Sequence, residues 1–117
     1  MKKVIIGTIF FSLFFGLAEA RPLTREEKSV IESSVRSQLN DPDSAKFTFP
    51  NLLEGNLTDL PGRYCGKVNA KNSYGGYSGD QWFATNVNTI KNGKVEVYTQ
   101  EGSPLNIAEI CKQGGYK

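Results

Sequence analysis

No histidine occurs among the 117 residues. That absence removes Ser-His-Asp and Cys-His nucleophile systems, the histidine general base and the commonest metal ligand. Cysteine is nearly as scarce: Cys65 and Cys111 stand alone, with neither a CxxC spacing nor a histidine partner. Such a pair makes a poor zinc or thioredoxin-like site. A surplus of one charge is also missing, since 14 Lys+Arg face 12 Asp+Glu for a formal +2. A nucleic-acid binder would present a strongly basic domain. There is no internal repeat and no low-complexity tract, and the length allows one small domain, not two. These exclusions favour a binding or accessory role over an enzyme, with no cofactor, no metal and no nucleic acid.

What is present begins with an address. Met1, Lys2 and Lys3 precede the apolar run V-I-I-G-T-I-F-F-S-L-F-F-G-L at 4–17, and Ala18-Glu19-Ala20 supplies small residues for a cleavage site before Arg21. A membrane-spanning helix needs about 20 apolar residues. The run stops short, which favours a cleaved Sec-type signal peptide at 1–20 over an anchor. No cysteine follows it to take a lipid. The expected product is a single periplasmic or secreted domain at 21–117, with no stable membrane insertion after cleavage. Loss of Lys2, Lys3 and Glu19 brings its net charge to +1.

A domain of that size is marginally stable without help. In an oxidising compartment two cysteines permit one intramolecular pairing, so Cys65–Cys111 reads as a disulfide. The chain-entropy account credits a loop of that length with about 4 kcal/mol.

Thr24-Arg25-Glu26-Glu27 is a capping-box pattern. Val30, Ile31, Val35 and Leu39 follow at helical spacing and predict an amphipathic helix over 25–39, ended by Asn40-Asp41-Pro42. Phe47 and Phe49 fall on one face of a strand. Residues 50–63 read as a loop with one helical turn. Strands are expected at 64–71 and 81–87, and Asn92-Gly93 carries the type I′ hairpin signal. Gly102-Ser103-Pro104 introduces a short terminal helix over 105–111. The sum is an α+β fold: an N-terminal helix packed on a three- to four-stranded antiparallel sheet, with a C-terminal helix tied by the disulfide. The outline is broadly cystatin-like and says nothing about activity.

One segment has the composition of a recognition loop. N-A-K-N-S-Y-G-G-Y-S-G at 69–79 mixes rings that supply contact area with amides that supply hydrogen bonds. Asn69, Lys71, Asn72, Tyr74, Gly75, Gly76 and Tyr77 are therefore candidate partner-binding residues. The same segment also suits a wide hairpin, in which turn chemistry alone accounts for every glycine. G-G-x-x-G matches neither phosphate-binding motif. Stacking of nucleic-acid bases on Tyr74, Tyr77 and Trp82 beside Lys67 and Lys71 conflicts with export and with the near-neutral charge.

The remaining candidates are weaker. Asp41 and Asp43 around Pro42 suit local capping better than a cation. Glu54, Asp59, Asp80, Glu96 and Glu101 form no glycosidase-like pair. Lys71 beside Ser73 or Ser78 lacks a known Ser-Lys motif. The sequon Asn56-Leu57-Thr58 matters in a eukaryotic secretory route alone.

L-N-D-P-D-S-A-K-F at 39–47, followed by C-G-K-V-N-A-K-N-S-Y-G-G-Y-S-G at 65–79, resembles a widespread group of small exported bacterial proteins. That group shares L-x-D-P-x-S-A-x-F and C-G-x-V-N-A-K-N-x-Y-G-G-Y-x-G elements, and the resemblance covers about half of the exported part. It implies an envelope protein of lipoprotein-like kin, some of them passengers of phage or conjugative elements, although this chain lacks the lipobox cysteine. The expectation is a small periplasmic accessory protein contacting another envelope protein, in a conjugation or type IV secretion system. A toxin-like or inhibitory effector acting on the envelope is the alternative.

Overall fold

A computed structural model describes residues 20–54, 60–101 and 103–117. The expected leader, apart from Ala20, and the sequon at 56–58 lie outside the described residues. The elements run β1 (Ala20–Arg21), α1 (Arg25–Arg36), β2 (Lys46–Thr48), β3 (Leu52–Leu53), β4 (Arg63–Asn69), β5 (Gln81–Asn86), β6 (Val97–Thr99) and α2 (Ile107–Gln113). The fold is α+β. Four antiparallel strands pair in the order β2-β4-β5-β6, and β1 pairs with β3 as a separate two-stranded sheet.

The capping box forms as its spacing demands. Thr24 Oγ1 accepts from the Glu27 amide at 3.0 Å, and the Glu27 carboxylate accepts from the Thr24 amide at 2.8 Å. The same carboxylate takes both guanidinium nitrogens of Arg21 at 2.9 Å. Two details differ from the periodicity. A strand, β1, precedes this helix, and the helix stops at Arg36, three residues before Leu39. Beyond Arg36 the amides of Gln38 and Leu39 bond to the Val35 and Arg36 carbonyls, tightening the chain into i→i−3 turns. The Gln38 side chain instead donates to the Val97 carbonyl, and its Oε1 accepts from the Thr99 hydroxyl.

Other boundaries also move. The expected strand at 64–71 occupies Arg63–Asn69, that at 81–87 ends at Asn86, and the terminal helix runs two residues later than 105–111. Phe49 lies outside β2, yet its ring stacks on Phe47 at 5.5 Å, and both rings meet Phe83 edge-on at 6.2 Å. The stretch read as a loop contains β3. Asn92 and Gly93 take positive φ between reciprocal Lys91–Lys94 backbone bonds, as a type I′ turn requires.

Register decides what each face of the sheet meets, because directly opposed residues project to the same side. Tyr64, Gly66, Val68, Phe83, Thr85, Val97 and Phe47 share one face. Here Ser34 of α1 and Gln38 just beyond it donate to the Val95 and Val97 carbonyls. Cys65, Lys67, Trp82, Ala84 and Tyr98 share the other face. Cys111 bonds Cys65 from α2, with the Cα atoms 5.8 Å apart, so α2 sits on this second face. Phe83, Ala84 and Thr85 are consequently all buried in succession, which a sheet covered on one side does not produce. Tyr116 completes the closure: its hydroxyl donates to the Arg63 carbonyl and accepts from the Leu53 amide, binding β3 to β4.

Candidate functional site

The segment at 69–79 is an ordered hairpin extending from β4 and β5. Lys71 and Tyr77 form a β-bridge, and the Asn72 amide donates to the Gly76 carbonyl at 2.8 Å. The Ser78 amide and hydroxyl both reach the Ala70 carbonyl. Gly75 turns the tip at φ +85°, a conformation that a residue with a Cβ rarely adopts.

The asparagines read as recognition amides work inside the hairpin. Asn72 Oδ1 accepts from the amides of Tyr74 and Gly76 at 2.9 and 3.2 Å, an Asx-type closure of the tip. Asn69 Oδ1 accepts from the Gly79 amide at 3.0 Å and closes the base. The hairpin is thus built by its own amides, which leaves the rings and cations to face outward.

Tyr74 stands at the tip with 96% of its surface exposed, and Gly75 and Gly76 beside it meet open space. Tyr77 is 42% exposed and held in place. Its hydroxyl donates to the Ser44 carbonyl at 3.2 Å, while Lys46 and Lys71 place their ammonium groups 4.6 and 5.7 Å from its ring centre. The Lys71 amide in turn donates to the Ser44 hydroxyl at 2.9 Å. Ser44 therefore docks the hairpin onto the turn before β2.

That turn is organised differently from the expected aspartate capping. The Asp41 side chain makes no capping bond; the Ser44 hydroxyl and amide close the turn onto the Asp41 carbonyl. The Ser44 amide, one of the donors that a capping Asp41 carboxylate would take, bonds the Asp41 carbonyl instead.

Composition pointed to the hairpin but missed its platform. Lys67 lies 4.6 Å from the Trp82 ring, next to Lys46 and Thr48 on the same sheet face. The signal was present in strand alternation, since Lys46, Lys67 and Lys71 recur at positions that one face must share. Lysines laid over aromatic faces bury their stems and keep their charge in water.

Among the described residues no cluster of His, Cys, Asp and Glu could hold a metal ion. The Ser78 hydroxyl is committed to a backbone carbonyl, so the structure does not pair it with a Lys71 base. No described helix is long and apolar enough to cross a membrane. Searches against protein-family models, curated proteins and solved structures return no match.

Proposed function

We propose that this chain is an exported bacterial envelope protein that binds another envelope protein through the tip and flank of the 69–79 hairpin. It serves as an accessory component rather than a catalyst. A conjugation or type IV secretion apparatus is the setting suggested by the resemblance of its two sequence elements to exported passengers of mobile elements.

One observation carries the reading. An ordered hairpin, closed by Asn69 and Asn72, presents Tyr74 almost fully to solvent beside a braced Tyr77. A large ring offered on a rigid support limits the entropy lost on binding, which is the economy of recognition surfaces. Turn formation alone asks for glycine at the tip and has no use for an exposed ring next to it. The Cys65–Cys111 bond supports the compartment, because such bonds persist in oxidising surroundings.

The proposed leader boundary falls between the two residues of β1. Cleavage there removes Ala20 from its place opposite Leu53 and leaves Arg21 opposite Leu52. The Arg21 guanidinium stays clamped by Glu27, so the new terminus remains attached to the fold.

The test is Tyr74→Ala in the natural host, followed by chemical cross-linking of the intact envelope. The substitution touches no packed atom and leaves folding alone. Loss of the cross-linked species supports the reading; an unchanged pattern from a normally folded variant rejects it.

A further inference from the structure

The sheet has two edges, and they are treated differently. At β6 the side chains of Ser34 in α1 and Gln38 just beyond it occupy the Val95 and Val97 carbonyls, which puts the helix alongside that edge. At β2 nothing equivalent occurs. Among the described residues, no hydrogen bond other than those of the β2–β4 ladder reaches the backbone of Lys46, Phe47 or Thr48. Antiparallel pairing satisfies one side of a strand and turns alternate amides and carbonyls outward. The outer side of β2 is an unfilled strand position.

Around that position the cations gather. Most cation–ring contacts of the described residues lie on β2 or next to it. On one face Lys46 and Lys71 flank the Tyr77 ring, whereas Lys67 leans away from β2 onto Trp82 of β5. On the other face Arg36 and Lys28 of α1 lie 5.2 and 5.8 Å from the stacked rings of Phe47 and Phe49. Arg36 pairs with Glu32, whereas Lys28, Lys46 and Lys71 have no carboxylate within salt-bridge distance among the described residues. A chain with a formal net charge of +2 has placed three uncompensated lysines around one strand edge.

We infer that β2 is a receiving edge for an extended acidic segment of the partner protein, which adds as a fifth strand. The inference rests on the partner-binding reading above and specifies the partner's chemistry. Strand addition takes its affinity from backbone bonds and its selectivity from alternate side chains. Those of the incoming strand must answer the two faces of β2 in turn. Acidic residues at every second position meet Lys46 and Lys71. Apolar residues between them cover Phe47 and Phe49, whose flanking Lys28 and Arg36 add to the attraction. Short, lysine-bearing edges deter indiscriminate pairing. Here the same lysines reject basic and neutral strands while accepting the complementary one. A lipid surface or a nucleic acid would use the lysines but has no use for the open amides and carbonyls.

The test uses the exported protein with its disulfide intact and a short capped peptide alternating Glu and Val. Amide spectra should show saturable shifts and slowed hydrogen exchange at residues 46–48. Methylating alternate peptide nitrogens of the probe should weaken binding about tenfold or more. Combining Lys46→Glu with Lys71→Glu should weaken it by about tenfold. The Tyr74→Ala variant should bind the peptide as the unaltered protein does.

Three results would overturn the inference: no perturbation at 46–48, equal binding of the N-methylated probe, or lysine contacts with phosphatidylglycerol vesicles in place of the peptide. Envelope cross-links that depend on Tyr74, without peptide binding at β2, would reject the inference and leave the hairpin reading standing. Peptide binding at β2 with cross-links indifferent to Tyr74 would do the reverse.

Discussion

Replacing both Cys65 and Cys111 by alanine should remove a large part of the stability of this fold. The bond joins residues 46 apart in sequence and anchors α2 to the outer face of β4. Closing a loop of that length restricts the unfolded chain by roughly 14 cal/mol/K, or about 4 kcal/mol at 25 °C. Both sulfur atoms are fully buried, so the small voids left behind add to the loss rather than offset it. Ordinary domains have only about 5–15 kcal/mol in total. For a chain of this size each kcal/mol moves the midpoint by about 4–8 °C, which places the expected fall in Tm at roughly 15–30 °C. Thermal unfolding followed by circular dichroism reads the global loss. Trp82, the sole tryptophan, shares a surface depression with Ala108 of α2, so its fluorescence reports whether that helix stays seated. A variant that melts within a few degrees of the parent, with unchanged Trp82 emission, would refute the reasoning: the hydrophobic contacts of α2 would then suffice by themselves.

Three further outcomes follow from local surroundings. Gly66→Ala should destabilise by about 1–3 kcal/mol in urea titration, because a Cβ there would sit 2.6 Å from the Phe83 ring and 2.9 Å from the Thr48 carbonyl. Gly76→Ala, facing open space, should change stability by less than about 0.5 kcal/mol. Glu27 should make the fold acid-sensitive. Arg21 above all, with the Thr24 amide, holds its carboxyl down to about 2, against about 4.3 in an unfolded chain. The unfolded state therefore takes up the proton first, and this contribution, complete above about pH 5, is lost as the pH falls toward 2. Glu27→Gln should cost about 1–2 kcal/mol at pH 7 and about half as much at pH 3, as read from urea midpoints at the two values.

Local chemistry made part of this fold legible in advance. The capping box named the start of α1, Asn92-Gly93 named its turn, and an even cysteine pair named its partner, because each is decided by neighbours in sequence or by elimination. The end of α1 was not readable. Leu39 keeps the helical period, but the preference of Gln38 for the Val97 carbonyl arises from a strand some 60 residues away. The β1–β3 pair was hidden for the same reason, being two residues on each side and held by Tyr116 from the far end of the chain. Apolar spacing also says which face of α2 is buried without saying which face of the sheet it meets. At the site, composition located the hairpin, yet it could not separate amides that build the loop from side chains left exposed. Hydrogen-bond geometry made that division, assigning Asn69 and Asn72 to the scaffold.

The central claim is that the hairpin tip touches another envelope protein. Its most direct test places a photoreactive phenylalanine at position 74 in one strain and at position 109, on the α2 side of the molecule, in another. Illumination of intact cells should trap a covalent adduct of defined mass from position 74 and none from position 109. Adducts from position 109, with position 74 silent, would contradict the claim and move the contact surface to α2.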